Sequence, residues 1–134
     1  MPTALAAWAH LALLLRFARL VSLRAGGGAL LALYAPVGWF SLRGVIPVGG
    51  AEYALTVLAG SVCSVLPYGL DRWLAPRLPG RWGVLVFPAA LVTVSMLGAA
   101  GNPFGTWGDL GYSQLPLLPL AGAASLAGLP GLNL

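Results

Sequence analysis

Trp82-Gly83-Val84-Leu85-Val86-Phe87-Pro88-Ala89-Ala90-Leu91-Val92-Thr93-Val94-Ser95-Met96-Leu97-Gly98-Ala99-Ala100 holds no charged side chain, and the uncharged run continues to Gly108, 27 residues in all. A helix rises about 1.5 Å per residue, so roughly 20 apolar residues cross the ~30 Å hydrocarbon core of a bilayer. This stretch is long enough to span. Working outward, the same kind of run recurs at 25–42, 53–70 and 110–134, with a shorter one at 1–15. The chain is thereby cut into membrane-length pieces by ten charges: Arg16, Arg19, Arg24, Arg43, Arg72, Arg77 and Arg81, with Glu52, Asp71 and Asp109.

Composition agrees. Charged residues make up 7% of the 134, against about 25% in a typical soluble domain. So few charges cannot coat a water-facing surface. The net charge of +4 comes from arginines that flank apolar segments; they read as topology signals rather than a phosphate-binding face, so no nucleic-acid partner is expected. One cysteine, Cys63, and one histidine, His10, leave no disulfide, no CxxC motif and no metal-ligand set. The expected fold class is all-α, a polytopic membrane bundle of four to five transmembrane helices. Residues 1–134 read as a single transmembrane domain with spans near 5–21, 27–42, 51–68, 82–100 and 117–129.

Breakers and charges place the boundaries. Arg16 and Arg19 share one helical face, and their segment fits either a helix whose arginines snorkel to the interface or one lying along the membrane surface. Gly26-Gly27-Gly28 is expected to interrupt the helix before the second span. Glu52 suits a helix start, where a carboxylate meets the positive end of the dipole. Residues 71–81 read as the most polar loop, with Asp71 an anchor at the membrane surface, and Pro88 as a kink in the third span. Residues 101–114 are rich in glycine and proline and cannot continue that span. The segments between spans hold three arginines, one, three and none. By the positive-inside rule, 16–24 and 71–81 are expected in the cytoplasm, and 43–50 and 101–114 outside.

Chemistry is sparse. There is no P-loop, G-x-S-x-G or H-E-x-x-H. Cys63 lies in a span with no base near it in sequence and reads as a packed small residue; His10 reads as a helix-surface or interfacial group. Past Glu52 at the start of the span at 51–68, the three clear spans carry no ionisable group beyond Cys63 and tyrosine, which argues against a pump or coupled transporter. No catalytic residue, metal ligand or cofactor is assigned. The segment from Asn102 to Gln114 mixes aromatics, glycines and hydrogen-bonding side chains, as suits packing beneath a partner domain or lining a lipid entrance.

That segment resembles apolipoprotein N-acyltransferase, the bacterial inner-membrane enzyme that adds the third acyl chain to lipoproteins. The likeness lies in Phe87-Pro88, Gly101-Asn102-Pro103-Phe104, Gly111-Tyr112-Ser113-Gln114 and the piece from Pro119 to Gly128. Arg43-Gly44-Val45-Ile46-Pro47-Val48 and Leu66-Pro67-Tyr68 with Asp71-Arg72 are also similar. Ser95-Met96-Leu97-Gly98 departs from the family pattern. The resemblance implies a multi-pass protein of the bacterial inner membrane, with membrane lipids as partners. It further implies a nitrilase-like catalytic domain bearing a Glu-Lys-Cys triad, which this sequence does not hold, since it lacks lysine altogether. A truncated gene, a frameshift or a separately encoded subunit would each give such a chain. The expected function is therefore a membrane-domain fragment or homologue of that enzyme, inactive alone, with a separately encoded nitrilase-like domain or another membrane protein as partner. Trp107, Tyr112 and Gln114 are the expected contacts with lipid or partner domain. The alternative is a small non-catalytic structural or accessory membrane protein.

Overall fold

The computed structural model describes residues 2–101, 105 and 109–114. Among the described residues four α-helices follow in order: α1 (Pro2–Leu20), α2 (Leu23–Leu42), α3 (Gly50–Leu74) and α4 (Val86–Gly101). Short 3-10 turns stand at Ala75–Arg77, Trp82–Leu85 and Leu110–Gln114, and there is no strand among the described residues. Three helical stretches, Leu23–Leu42, Gly50–Arg77 and Trp82–Gly101, are long and apolar enough to cross a membrane. The fold is an all-α helical membrane bundle. The expected span at 117–129 and Trp107 lie outside the described residues.

The break between the first two helices is not where the glycines stand. Gly26, Gly27 and Gly28 all lie inside α2, and the chain turns at Val21–Ser22. Ser22 caps the new helix: its Oγ accepts from the Ala25 N–H at 3.3 Å, and its carbonyl accepts from Gly26 N–H at 2.8 Å. In an apolar surrounding every backbone group must be bonded internally, and that requirement outweighs the roughly 1 kcal/mol that glycine costs a helix in water. Gly26 also has a packing reason. A Cβ there would stand 2.8 Å from Val21 Cγ2, so its absence lets the start of α2 close against the end of α1.

The polar segment at 71–81 is likewise more ordered than expected. Asp71 to Leu74 complete α3, and Ala75–Arg77 adds a 3-10 turn. Pro67 sits inside α3 without ending it, and Pro36 does the same in α2. Pro88 is the third residue of α4, just after the 3-10 turn Trp82–Leu85, at a position whose N–H the start of an α-helix leaves unbonded. Gly83 allows the two turns between α3 and α4 to cross, since a Cβ there would lie 2.8 Å from the Ala75 carbonyl oxygen.

α3 is the central helix, packed against α2 on one side and α4 on the other, with α1 touching α2, α3 and the turn at Leu110–Gln114. The core is Ala18, Leu30, Tyr68 and Phe87, flanked by Leu11, Leu14, Val65 and Leu91. Hydroxyls are mostly satisfied within their own helix: Ser61 donates to Val57 O at 2.7 Å, Ser64 to Gly60 O at 2.9 Å and Thr93 to Ala89 O at 2.7 Å. The outer faces carry large apolar side chains, among them Leu5, Leu13, Leu55, Leu58, Met96 and Leu97. This outward greasiness is what a lipid solvent selects.

Candidate functional site

Among the described residues, two polar clusters link helices across the interior of the bundle. The first joins α1 to α3. Arg19 Nε donates to Asp71 Oδ2 at 2.7 Å and Arg19 Nη2 to Asp71 Oδ1 at 2.8 Å, a two-bond fork. Asp71 is 1% exposed while Arg19 is 42% exposed. The carboxylate is thus the enclosed partner, and the guanidinium faces out. Arg72 then donates from Nη1 to the Arg19 carbonyl at 2.5 Å, near the C-terminal end of α1, where carbonyls lack helical partners. Asp71 is not a surface anchor. One helical turn carries it onto the buried face of α3 that also holds Tyr53, Val57, Ser61 and Tyr68. These contacts bring the two arginine-rich segments to one end of the bundle.

The second cluster links α1, α2 and α3. The Tyr34 hydroxyl lies 3.3 Å from His10 Nε2 and 3.2 Å from the Tyr68 hydroxyl. Tyr68 is buried, and its ring packs on Phe87 of α4 with centroids 4.9 Å apart. His10 and Tyr34 meet edge to face, centroids 5.9 Å apart. His10 is ten residues before Leu20 and Tyr34 eleven after Leu23. At ~1.5 Å per residue, both stand roughly 15–17 Å from the arginine-bearing end, about half-way through a ~30 Å hydrocarbon core.

A cavity of about 200 Å³ opens beside this chain. Its wall includes His10, Tyr34, Ser64, Tyr68, Ser95 and Asp109. Asp109 therefore does more than sit in a surface loop: the chain beyond α4 brings it to the same cavity as residues of all four helices. Cys63 also lines this space and is exposed, not packed as its apolar neighbours suggested. Among the described residues no group of three or more His, Cys, Asp or Glu could hold a metal ion. The hydrogen-bonding groups converge on one cavity and suit holding a polar group or water at depth.

The residues singled out from sequence are placed as follows. Tyr112 is 46% exposed. Gln114 is 2% exposed, with Nε2 donating to Ser113 Oγ at 2.9 Å and Oε1 buried without a partner. Both belong to the 3-10 turn that packs on α1. Sequence reasoning missed Tyr34, Tyr68 and the Arg19–Asp71 fork. The helical spacing of Tyr53, Val57, Ser61, Tyr68 and Asp71 could have placed Tyr68 and Asp71 on the buried face of α3, but nothing comparable marks Tyr34 or Arg19. In a membrane helix the more polar stripe faces the protein and the apolar one faces lipid.

Fold and interior together define a helical membrane bundle with a polar cavity at depth, lined from α1, α2, α3 and α4. Over 82 residues the chain is 39% identical to the protein described as apolipoprotein N-acyltransferase of Chromobacterium violaceum, a match covering 59% of this chain and 16% of that protein. The chain thus spans less than a fifth of that relative's length. No family model matches the chain, and no solved structure matches it.

Proposed function

We propose that this chain forms membrane-embedded helices of an apolipoprotein N-acyltransferase-like protein and serves lipoprotein acylation in the bacterial inner membrane. The observation that carries the reading is the 39% identity over 82 residues. The helical fold supports it, because a chain with three stretches able to cross a membrane suits the membrane part of such an enzyme. The 134 residues contain no lysine, so a Glu-Lys-Cys triad has to come from outside this sequence. The chain is inactive by itself and works with a nitrilase-like domain, with Trp107, Tyr112 and Gln114 as contacts to that domain or to lipid. The arginine-bearing end faces the cytoplasm, by the positive-inside rule. The meeting of Arg19, Asp71 and Arg72 supports this, since it gathers both arginine-rich segments on one side.

The test uses cells depleted of their own N-acyltransferase, with lipoprotein mass reporting the third acyl chain. The chain alone should restore nothing, and the chain with the nitrilase-like frame from adjoining DNA should restore acylation. Substituting Trp107, Tyr112 and Gln114 together by alanine should then reduce it. Absence of any such frame, or no restoration with it, overturns the proposal in favour of an accessory membrane protein.

A further inference from the structure

A separate feature lies at the arginine-bearing end, away from the polar cavity. An apolar groove of about 480 Å³ runs between the last turns of α3 and the first turns of α4. Leu70 and Leu74 form one wall, Ala89 and Thr93 the other, and Leu78 and Trp82 close the end. Its walls are almost wholly apolar side chains, and its depth suits one acyl chain. Trp82 to Thr93 is eleven residues, roughly 17 Å along the helix, and one leaflet is about half of the ~30 Å core.

The chemistry changes at the closed end. Arg77 and Arg81 flank Leu78 and Trp82 in the chain, and both are exposed. The Arg77 guanidinium rests 4.9 Å from the Trp73 ring centroid and donates to the Trp73 carbonyl, so it reaches a phosphate by turning from that ring. Arg81 immediately precedes the 3-10 turn Trp82–Leu85 that leads into α4. An apolar trough one leaflet deep, with two exposed arginines next in the chain to Leu78 and Trp82 at its end, is complementary to a phospholipid bearing a net negative headgroup. We propose that this groove is a binding site for one anionic phospholipid of the arginine-side leaflet, its acyl chain between α3 and α4 and its phosphate on Arg77 and Arg81. The site does not depend on the acyltransferase reading, because it uses neither the polar cavity nor the turn at Leu110–Gln114.

The experiment reconstitutes the full chain in nanodiscs and follows retained lipid by native mass spectrometry. The probes are dioleoyl phosphatidylglycerol against dioleoyl phosphatidylcholine, plus dihexanoyl phosphatidylglycerol. The expected result is one tightly held phosphatidylglycerol, preferred over phosphatidylcholine by at least about 10-fold, from roughly 1 kcal/mol per arginine near the headgroup. Arg77→Gln with Arg81→Gln should abolish the preference, and Arg81→Gln alone should reduce it. Ala89→Trp, at an exposed position on the groove wall, should lower retention of both dioleoyl lipids without loss of helicity. The dihexanoyl lipid should not be retained. Equal retention of the two headgroups, a preference that survives both arginine substitutions, or retention unchanged by Ala89→Trp each overturns the proposal.

Discussion

Arg19→Met and Asp71→Asn break the same ion pair from opposite sides, and burial makes their costs unequal. Removing the guanidinium strands a carboxylate that is 1% exposed and takes away both its bonds, at 2.7 and 2.8 Å. An uncompensated buried charge costs about 3–5 kcal/mol; the open side of Arg19 lets some water reach the pair, so the low end, about 3 kcal/mol, applies. Removing the carboxylate charge instead leaves Arg19, already 42% exposed, free to extend toward water. That loss should be about 1 kcal/mol, as for a solvent-accessible pair. The difference of about 2 kcal/mol is roughly 30-fold in the unfolding equilibrium. The Arg72 bond goes to the Arg19 backbone carbonyl, so it survives both substitutions and does not blur the comparison. Reversible unfolding in mixed detergent and SDS micelles, followed by helicity, measures both values. Combining Arg19→Met with Asp71→Leu should recover most of the larger loss, because no charge is then buried. An Asp71→Asn variant as unstable as Arg19→Met would refute the reasoning.

Other outcomes follow from single contacts. Gly26→Ala should lose about 1 kcal/mol by pushing on Val21, while Gly27→Ala, with nothing within 4 Å of its new Cβ, should be neutral or gain up to ~1 kcal/mol; equal effects in the same micelle assay would deny that α1 and α2 close on Gly26. Tyr34→Phe removes two interhelical hydrogen bonds and should cost about 1 kcal/mol, against about 0.6 for Tyr68→Phe, which removes one; a double-mutant cycle should show the shared bond. Gly83→Ala places a methyl 2.8 Å from a backbone oxygen that cannot rotate away, and should cost about 1–3 kcal/mol. In a Cys63→Ser background, an impermeant maleimide should label a cysteine at Ser113 from outside and one at Arg81 from the cytoplasm; a Ser113 cysteine that reacts only from the cytoplasm would overturn the proposed orientation.

Sequence and structure agree most where one rule acts alone. The charge-free runs around α3 and α4 are visible because lipid tolerates few charges, and length then sets the span. Boundaries set by competing terms are harder to read. Three consecutive glycines argue for a break in water, yet Ser22 supplies the cap and the bilayer rewards continuous bonding, so the turn moves to Val21–Ser22. Asp71 looked like a loop charge because its neighbours, Arg72 and Trp73, are interfacial types. Its partner is 52 residues away, and no local pattern announces a contact at that distance. The same holds for His10, Tyr34 and Tyr68, each unremarkable on its own helix. Their meeting depends on the relative heights of three helices, which a linear pattern does not encode.

The span of the Arg19–Asp71 bond bears on how the protein is made. At about 5–20 residues per second, the 52 residues between the partners take roughly 3–10 s to synthesise. For that interval the first helix carries Arg16 and Arg19 with no counter-charge from α3. α1 therefore settles into its final position only after α3 has emerged and docked. The fork between Arg19 and Asp71 can close only once Asp71 has been made, so the contact of α1 with α3 is completed after both intervening segments have been synthesised.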